Sequence, residues 1–199
     1  MPSTMTPDIA GSGEDRAWAQ KLAARDSAAL RELIEAHAGR LHRIAWRITR
    51  DAQESEDIVQ EAMLRLWDQA PRIAARHSGS SDGAGFRVGA WLQRVVTNLA
   101  IDRLRRTKRL THGELPERED DAPLADAMVE TREDGTLARA LIAALPDRQR
   151  AAIVLTYYEE LPNAQAAAAM DMNVKAFESL LHRARAGLRQ AFMDQGGAA

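Results

Sequence analysis

Apolar residues recur at three- and four-residue steps over most of the chain. Leu30, Leu33, Ile34, Leu41, Ile44, Ala45 and Ile48 form one stripe, carried by a single helix or by two consecutive helices broken at Gly39. Ile58, Val59, Ala62, Met63 and Leu66 form a second, introduced by Asp51 and Glu54 at capping-box spacing and flanked by outward-facing acids. Val88, Leu92, Val95, Val96 and Leu99 define a third stripe, and Pro146 opens a fourth through Ile153 and Leu155. Beyond Pro162 and Asn163, the small-residue run AQAAAAMD, a turn at Met172 and Asn173, and a stripe of Phe177, Leu181, Ala184 and Leu188 make a helix-turn-helix pattern with Asn173 as N-cap. No strand alternation competes, so the predicted fold class is all-α.

Charge divides this helical chain into blocks. Phe86 to Arg109 carries a balance of +6, Glu114 to Asp134 one of −7, and Asp51 to Asp68 one of −5, within a chain whose formal net charge is only −2. The second block also holds Pro116 and Pro123, is followed by Gly135 and has few large apolar residues, so it reads as an acidic flexible linker between two small helical domains, the second with the helix-turn-helix. The Ser- and Gly-rich stretch from Ala75 to Phe86 reads as a loop inside the first domain. The predicted division is a disordered N-terminus at 1–13, a first domain at 14–110, the linker at 111–134, a second domain at 135–193 and a disordered tail at 194–199.

The basic block sorts its side chains by face. At 100° per residue, Arg87, Arg94, Asn98 and Arg105 fall within about 20° of one line, bordered by Trp91 and set well away from the apolar stripe. Arginines hold phosphates, an indole stacks on an unpaired base, and an amide reads a base edge, so this line suits a nucleic acid. The plainer reading is a solvated basic helix with Trp91 in the core. In the last helix Lys175, Glu178, Ser179, His182 and Arg183 are left facing outward, a polar set able to touch DNA or simply the solvated side of an alanine-rich helical hairpin.

Composition excludes more than it assigns. The 199 residues contain no cysteine, which removes disulfides, thiolate metal sites and a cysteine nucleophile. No run approaches the roughly 20 apolar residues of a membrane span, and the first residues lack a signal-peptide pattern; the expectation is a cytoplasmic protein with no direct membrane insertion. The five histidines, His37, His42, His77, His112 and His182, are scattered, and no HExxH, phosphate loop or nucleophile elbow occurs, so neither an enzyme nor a cofactor is expected.

Three stretches carry a family resemblance: LHRIAWRITRDAQESEDIVQEAMLRLW, FRVGAWLQRVVTNLAIDRLRRTKR, and the run from Leu137 containing LPDRQR and LLHRARAGLR. Together they closely resemble bacterial extracytoplasmic-function sigma factors of the sigma-70 family over most of Leu30 to Gln190. The resemblance implies that the first domain is region 2, which docks on RNA polymerase core and opens the promoter at the minus-ten element. The second is then region 4, which reads the minus-35 element. It makes Asp57, Gln60 and Glu61 contacts for the clamp helices of the largest polymerase subunit, where an acidic helix complements basic ones. It makes Trp91, Arg94, Asn98, Arg103, Arg105 and Arg106 the minus-ten set, with the loop from His77 to Gly85 where a flipped base is held. It assigns the minus-35 element to Lys175, Glu178, Ser179, His182 and Arg183. The partners implied are polymerase core through its clamp helices and beta flap, promoter DNA as duplex and single strand, and an inhibitory anti-sigma factor. The implied function is an alternative sigma factor in a stress or environmental response. The chain departs from the family in region 4, where Glu178 and Leu180 stand in place of basic residues. That departure leaves open a sigma mimic that sequesters an anti-sigma factor without reading DNA, with Leu180 extending an apolar face toward a protein partner.

Overall fold

A computed structural model describes residues 13–77, 86–112 and 134–196. Among the described residues there are helices and no strands: α1 (Gly13–Ala23), α2 (Ser27–Thr49), α3 (Ala52–His77), α4 (Val88–His112), α5 (Asp134–Ala144), α6 (Asp147–Ile153), a π-helical turn (Val154–Tyr158), α7 (Asn163–Ala169) and α8 (Val174–Gly196). The all-α expectation of two helical units holds. Residues 75–77, expected in the Ser/Gly-rich loop, continue α3, and residues 194–196, expected in the tail, continue α8; residues 1–12, 78–85, 113–133 and 197–199 lie outside the described residues.

Local chemistry sets the helix ends. The Asp26 carboxylate accepts from the Ala28 and Ala29 amides at 2.9 and 3.2 Å and starts α2. Of the two alternatives the single helix is found: α2 runs through Gly39, because the stripes on either side of it bury into one core, with Leu33, Leu41, Ile44 and Ile48 all 2% exposed or less. Asp51 caps α3 as its spacing predicts, accepting from the Glu54 amide at 2.9 Å. Pro71, inside α3, has no N–H for the carbonyl of Trp67 four residues back. Arg25 supplies that donor at 3.0 Å while its guanidinium stacks over the Trp67 ring, tying α1 to the proline turn. Asn173 caps α8 through the Ala176 amide at 2.8 Å.

The first unit packs α2, α3 and α4 together with α1 against them; the second packs α5, α6, α7 and α8 around Phe177, Leu180 and Leu181. The two units are not held apart. Helices α6 and α7 lie against α4, and the π-helical turn lies against α2. One buried arginine joins them: Arg150, 7% exposed, donates to the Ile48 carbonyl across the junction at 2.7 Å and to the Ala143 and Leu145 carbonyls of its own unit at 2.5 and 3.2 Å. Burial draws its pKa downward; Asp147 opposes that shift and Arg50 adds to it.

Candidate nucleic-acid interface

The last helix presents its polar residues as the heptad geometry requires. Phe177, Leu180, Leu181 and Ala184 are buried at 2% exposure or less, and Lys175, Glu178, Ser179, His182 and Arg183 line one shallow open surface on the other side. All five residues expected to touch DNA are therefore brought together. Glu178 is approached by the Asn163 amide at 3.4 Å, which links the first residue of α7 to the middle of this surface. Leu180 corrects an expectation: at 2% exposure it belongs to the core and offers nothing to a partner, since it falls about 60° from Phe177 on the helix wheel, within the buried stripe.

The face of α4 is arranged differently. Arg94 and Asn98 point at the same atom group, the carboxylate of Asp171 in the turn before α8: Arg94 Nη2 lies 2.6 Å from Oδ1, and Asn98 Nδ2 donates to Oδ2 at 2.6 Å. Arg103 is turned to the other side of the helix. Its guanidinium forks between Glu54 and Glu61 of α3, each at 2.9 Å. The hydrogen bond with Glu61 raises the Arg103 pKa, against the opposing effect of burial. Burial pushes the Glu61 carboxyl up, but Arg103 and Arg65 together hold it below its ordinary value. Arg103 thus stands apart from the Arg94–Asn98 line with which it was grouped, because it lies about 20° from the Leu92 stripe on the wheel. Trp91 is partly buried against the core, Arg105 is partly buried, and Arg106 is exposed.

The acidic helix divides in the same way. Glu61 is engaged by Arg65 and Arg103, and Asp57 accepts from Gln53 at 3.3 Å. Gln60 is exposed on the rim of an apolar groove of about 710 Å³ between α2 and α3, whose lining includes Ile34, Met63 and the 64%-exposed Leu64. Among the described residues no group of His, Asp and Glu has the geometry of a metal site, and no helix is long and apolar enough to cross a membrane.

Local sequence patterns do not reveal a set of acids in the second unit. Besides Asp171, Asp147 accepts from Lys108 at 2.7 Å. Glu159, with its side chain only 5% exposed, takes Arg40 at 2.8 Å and Arg47 at 3.1 Å. The π-helical turn, closed by the Glu159 amide on the Val154 carbonyl at 3.1 Å, is what sets Glu159 against α2.

Two helical units, one with a basic helix against an acidic one and the other ending in a helix-turn-helix, define a protein of the sigma-70 type. Residues 33–110 match the family model for Sigma-70 region 2 and residues 136–188 that for Sigma-70, region 4. The ECF RNA polymerase sigma factor SigM of Mycobacterium tuberculosis is 33% identical over 181 residues, covering 89% of this chain and 86% of that protein. SigW of Bacillus subtilis is 25% identical over 189 residues, covering 85% and 91%. SigE of Mycolicibacterium smegmatis is 33% identical over 162 residues, and this chain spans 59% of its length. The chain belongs to the extracytoplasmic-function RNA polymerase sigma factors. Among solved structures, CnrH in complex with the cytosolic domain of CnrY matches with a TM-score of 0.60 and 26% identity, over 91% of this chain and 97% of that one. The sigma factor RpoE of Bartonella quintana, in complex with the anti-sigma factor NepR, shares the fold with a TM-score of 0.56 at 20% identity, over 82% and 96%.

Proposed function

We propose that this chain is an alternative sigma factor that binds RNA polymerase core and directs promoter-specific initiation in a stress or environmental response, contributing no catalysis of its own. The observation that carries the reading is the outer surface of α8, where Lys175, Glu178, Ser179, His182 and Arg183 converge while Phe177, Leu180, Leu181 and Ala184 are buried on the other side. A recognition helix in a major groove needs that separation. Lys175 and Arg183 hold backbone phosphates, Ser179 and His182 reach base edges, and Glu178 accepts from a cytosine amino group.

The first unit, over the predicted 14–110, serves core binding and strand capture, and the second, over 135–193, serves minus-35 reading. Asp57, Gln60 and Glu61 form the polymerase contact, with Gln60 at the mouth of the α2–α3 groove. Asn98 reads the minus-ten strand, while Arg94, Arg105 and Arg106 hold its phosphates and Trp91 packs beside it. Region 4 docks on the polymerase flap, and an anti-sigma factor holds the protein inactive in the cytoplasm. The burial of Leu180 removes half of the ground for a sigma mimic, and no observation favours that alternative.

Transcription in vitro with purified polymerase core tests the reading: a sigma factor yields transcripts from a fixed start, and an absence of initiation would overturn it. Asn98→Ala should reduce open-complex formation more than core binding, and the pair Asp57→Ala with Glu61→Ala should do the reverse. Equal losses in both assays would refute that division.

A further inference from the structure

The two helices of the helix-turn-helix approach closely because α7 is built of small residues: Ala166, Ala167 and Ala169 are buried at 5% exposure or less, and α8 packs against α7. That closeness brings the first residue of α7 within reach of the second turn of α8. Pro162 caps α7 with no side-chain hydrogen bond, and the Asn163 side chain does not serve that end either. Its Nδ2 donates across the turn to Oε1 of Glu178 at 3.4 Å.

Glu178 is the one acid in the outward set of α8, and nothing in its own helix calls for it. Lys175 three residues before and His182 four residues after stand at spacings suited to pairing, yet neither bonds Glu178 among the described residues. The acid also lies beyond the first turn of α8, which Asn173 caps through the Ala176 amide, so its charge does not serve the helix end. One carboxylate oxygen is therefore held by Asn163, and the other faces solvent from an exposed residue. Ser179 adds to the same bias. Its hydroxyl donates to the Lys175 carbonyl at 3.1 Å, so toward a ligand it presents lone pairs.

Two neighbouring acceptors select a donor. In the major groove only the amino groups of cytosine and adenine donate, while guanine and thymine show carbonyl oxygens there. Adenine places its N7 acceptor beside the amino group, where the second oxygen of a carboxylate would meet a lone pair. Cytosine has no acceptor in that place, so it suits a carboxylate best.

We propose that Asn163 is a positioning residue for base choice: by holding one oxygen of Glu178 it aims the other into the groove, and the minus-35 element recognised by this chain carries a cytosine at the contacted position. The inference rests on the reading of α8 as the minus-35 helix. Phosphates repel the same carboxylate, so Glu178 lowers affinity for duplexes in general while raising it for one base. At 3.4 Å the bond biases the carboxylate rather than locks it, so loss of Asn163 weakens the choice of base without abolishing it.

The test uses holoenzyme reconstituted from polymerase core and the full chain, offered a duplex promoter library randomised across the minus-35 region, with the bound fraction sequenced. The wild type should enrich cytosine over thymine at one position by roughly tenfold. Asn163→Ala should lower that ratio to about threefold and leave the rest of the window unchanged. Asn163→Asp keeps the shape but puts an acceptor in place of the donor, and should lower the ratio at least as far. Glu178→Gln should move the enriched base at that position from cytosine to adenine, which a glutamine amide pairs bidentately, and should tighten binding to duplexes of arbitrary sequence. Full cytosine enrichment in both Asn163 variants, a loss spread evenly over the window, or a Glu178→Gln variant that still selects cytosine overturns the inference. So does a wild type that selects bases in the window but no cytosine, and in all these cases the minus-35 reading of α8 stands. A wild type indifferent to the whole window would sink that reading, and the inference with it.

Discussion

The two faces expected to meet DNA are built by opposite rules. On α8 the residues proposed to read DNA and the residues that pack are cleanly separated, and the former set faces solvent. On α4 the residues are divided three ways: Leu92 and Val96 pack inward, Arg103 clasps the acids of α3, and Arg94 and Asn98 are taken by Asp171 of the other unit. A duplex-reading surface can stand open because base-edge contacts discriminate its site from the phosphate binding common to all duplexes. A strand-capturing surface left open would bind any unpaired nucleic acid through phosphate and stacking contacts, which carry little sequence information. On the proposed reading of the two faces, their difference follows from the difference between their ligands.

The strongest way to break the comparison is to remove the packing that keeps α8 sorted. Leu180→Ala should lower the stability of the chain by about 3 kcal/mol, as expected for a large buried side chain replaced by a cavity. Denaturant titration of the full chain checks this, and a change within about 0.5 kcal/mol would return Leu180 to the surface. A smaller effect is expected at the bridge between the units. Arg150→Met should cost about 2 kcal/mol, because the Ile48, Ala143 and Leu145 carbonyls lose their donor in a buried place. The same variant should raise the radius of gyration, which Leu180→Ala at a temperature below its melting point should not.

The salt dependence of DNA binding sharpens the contrast further. In the free chain Lys175→Ala should reduce the slope of log affinity against log salt on duplex DNA by about 0.9, since the lysine stands open. Arg94→Ala should leave the slope on single strands nearly unchanged in the free chain, where the arginine is already paired. In the polymerase-bound form it should reduce that slope by about 0.7. Equal slopes for Arg94→Ala in both forms would mean that α4 is as accessible as α8.

What could be read from the chain was whatever depended on near neighbours. The stripes of α2, α3 and α4, the Asp51 and Asn173 caps and the outward set on α8 all follow from spacings of three to seven residues, which helix geometry makes meaningful. Leu180 is within reach of the same rule, since its wheel position about 60° from Phe177 places it in the buried stripe. Gly39 left one helix or two open because its modest cost in a helix is visible locally, while the core burial that offsets it is not. Asp171 was beyond local reach. Its partners Arg94 and Asn98 lie more than seventy residues away, and its orientation is set by the left-handed ending of α7, at a position where the usual glycine signal is missing. The acid-to-base sorting across the junction was likewise hidden, because blocks of charge in sequence do not say which blocks face each other.

The smallest expected effect concerns the clasp that takes Arg103 away from the DNA line. The Glu61 carboxyl is raised by burial but lowered further by Arg103 and Arg65, so its folded value lies below its ordinary 4.5. Between those two values the unfolded chain holds more protons than the folded one, so stability rises with pH across that window. The contribution is complete above 4.5 and is lost as the pH falls through the lowered value. Glu61→Gln should therefore flatten the acid limb of the stability curve at its upper end, while costing less than about 1 kcal/mol at neutral pH because the pair is partly solvated. Thermal melting of both proteins across that window measures it. If the variant keeps the full acid slope, the Glu61–Arg103 pair contributes nothing to holding α4 on α3, and Glu54 alone is left to hold Arg103.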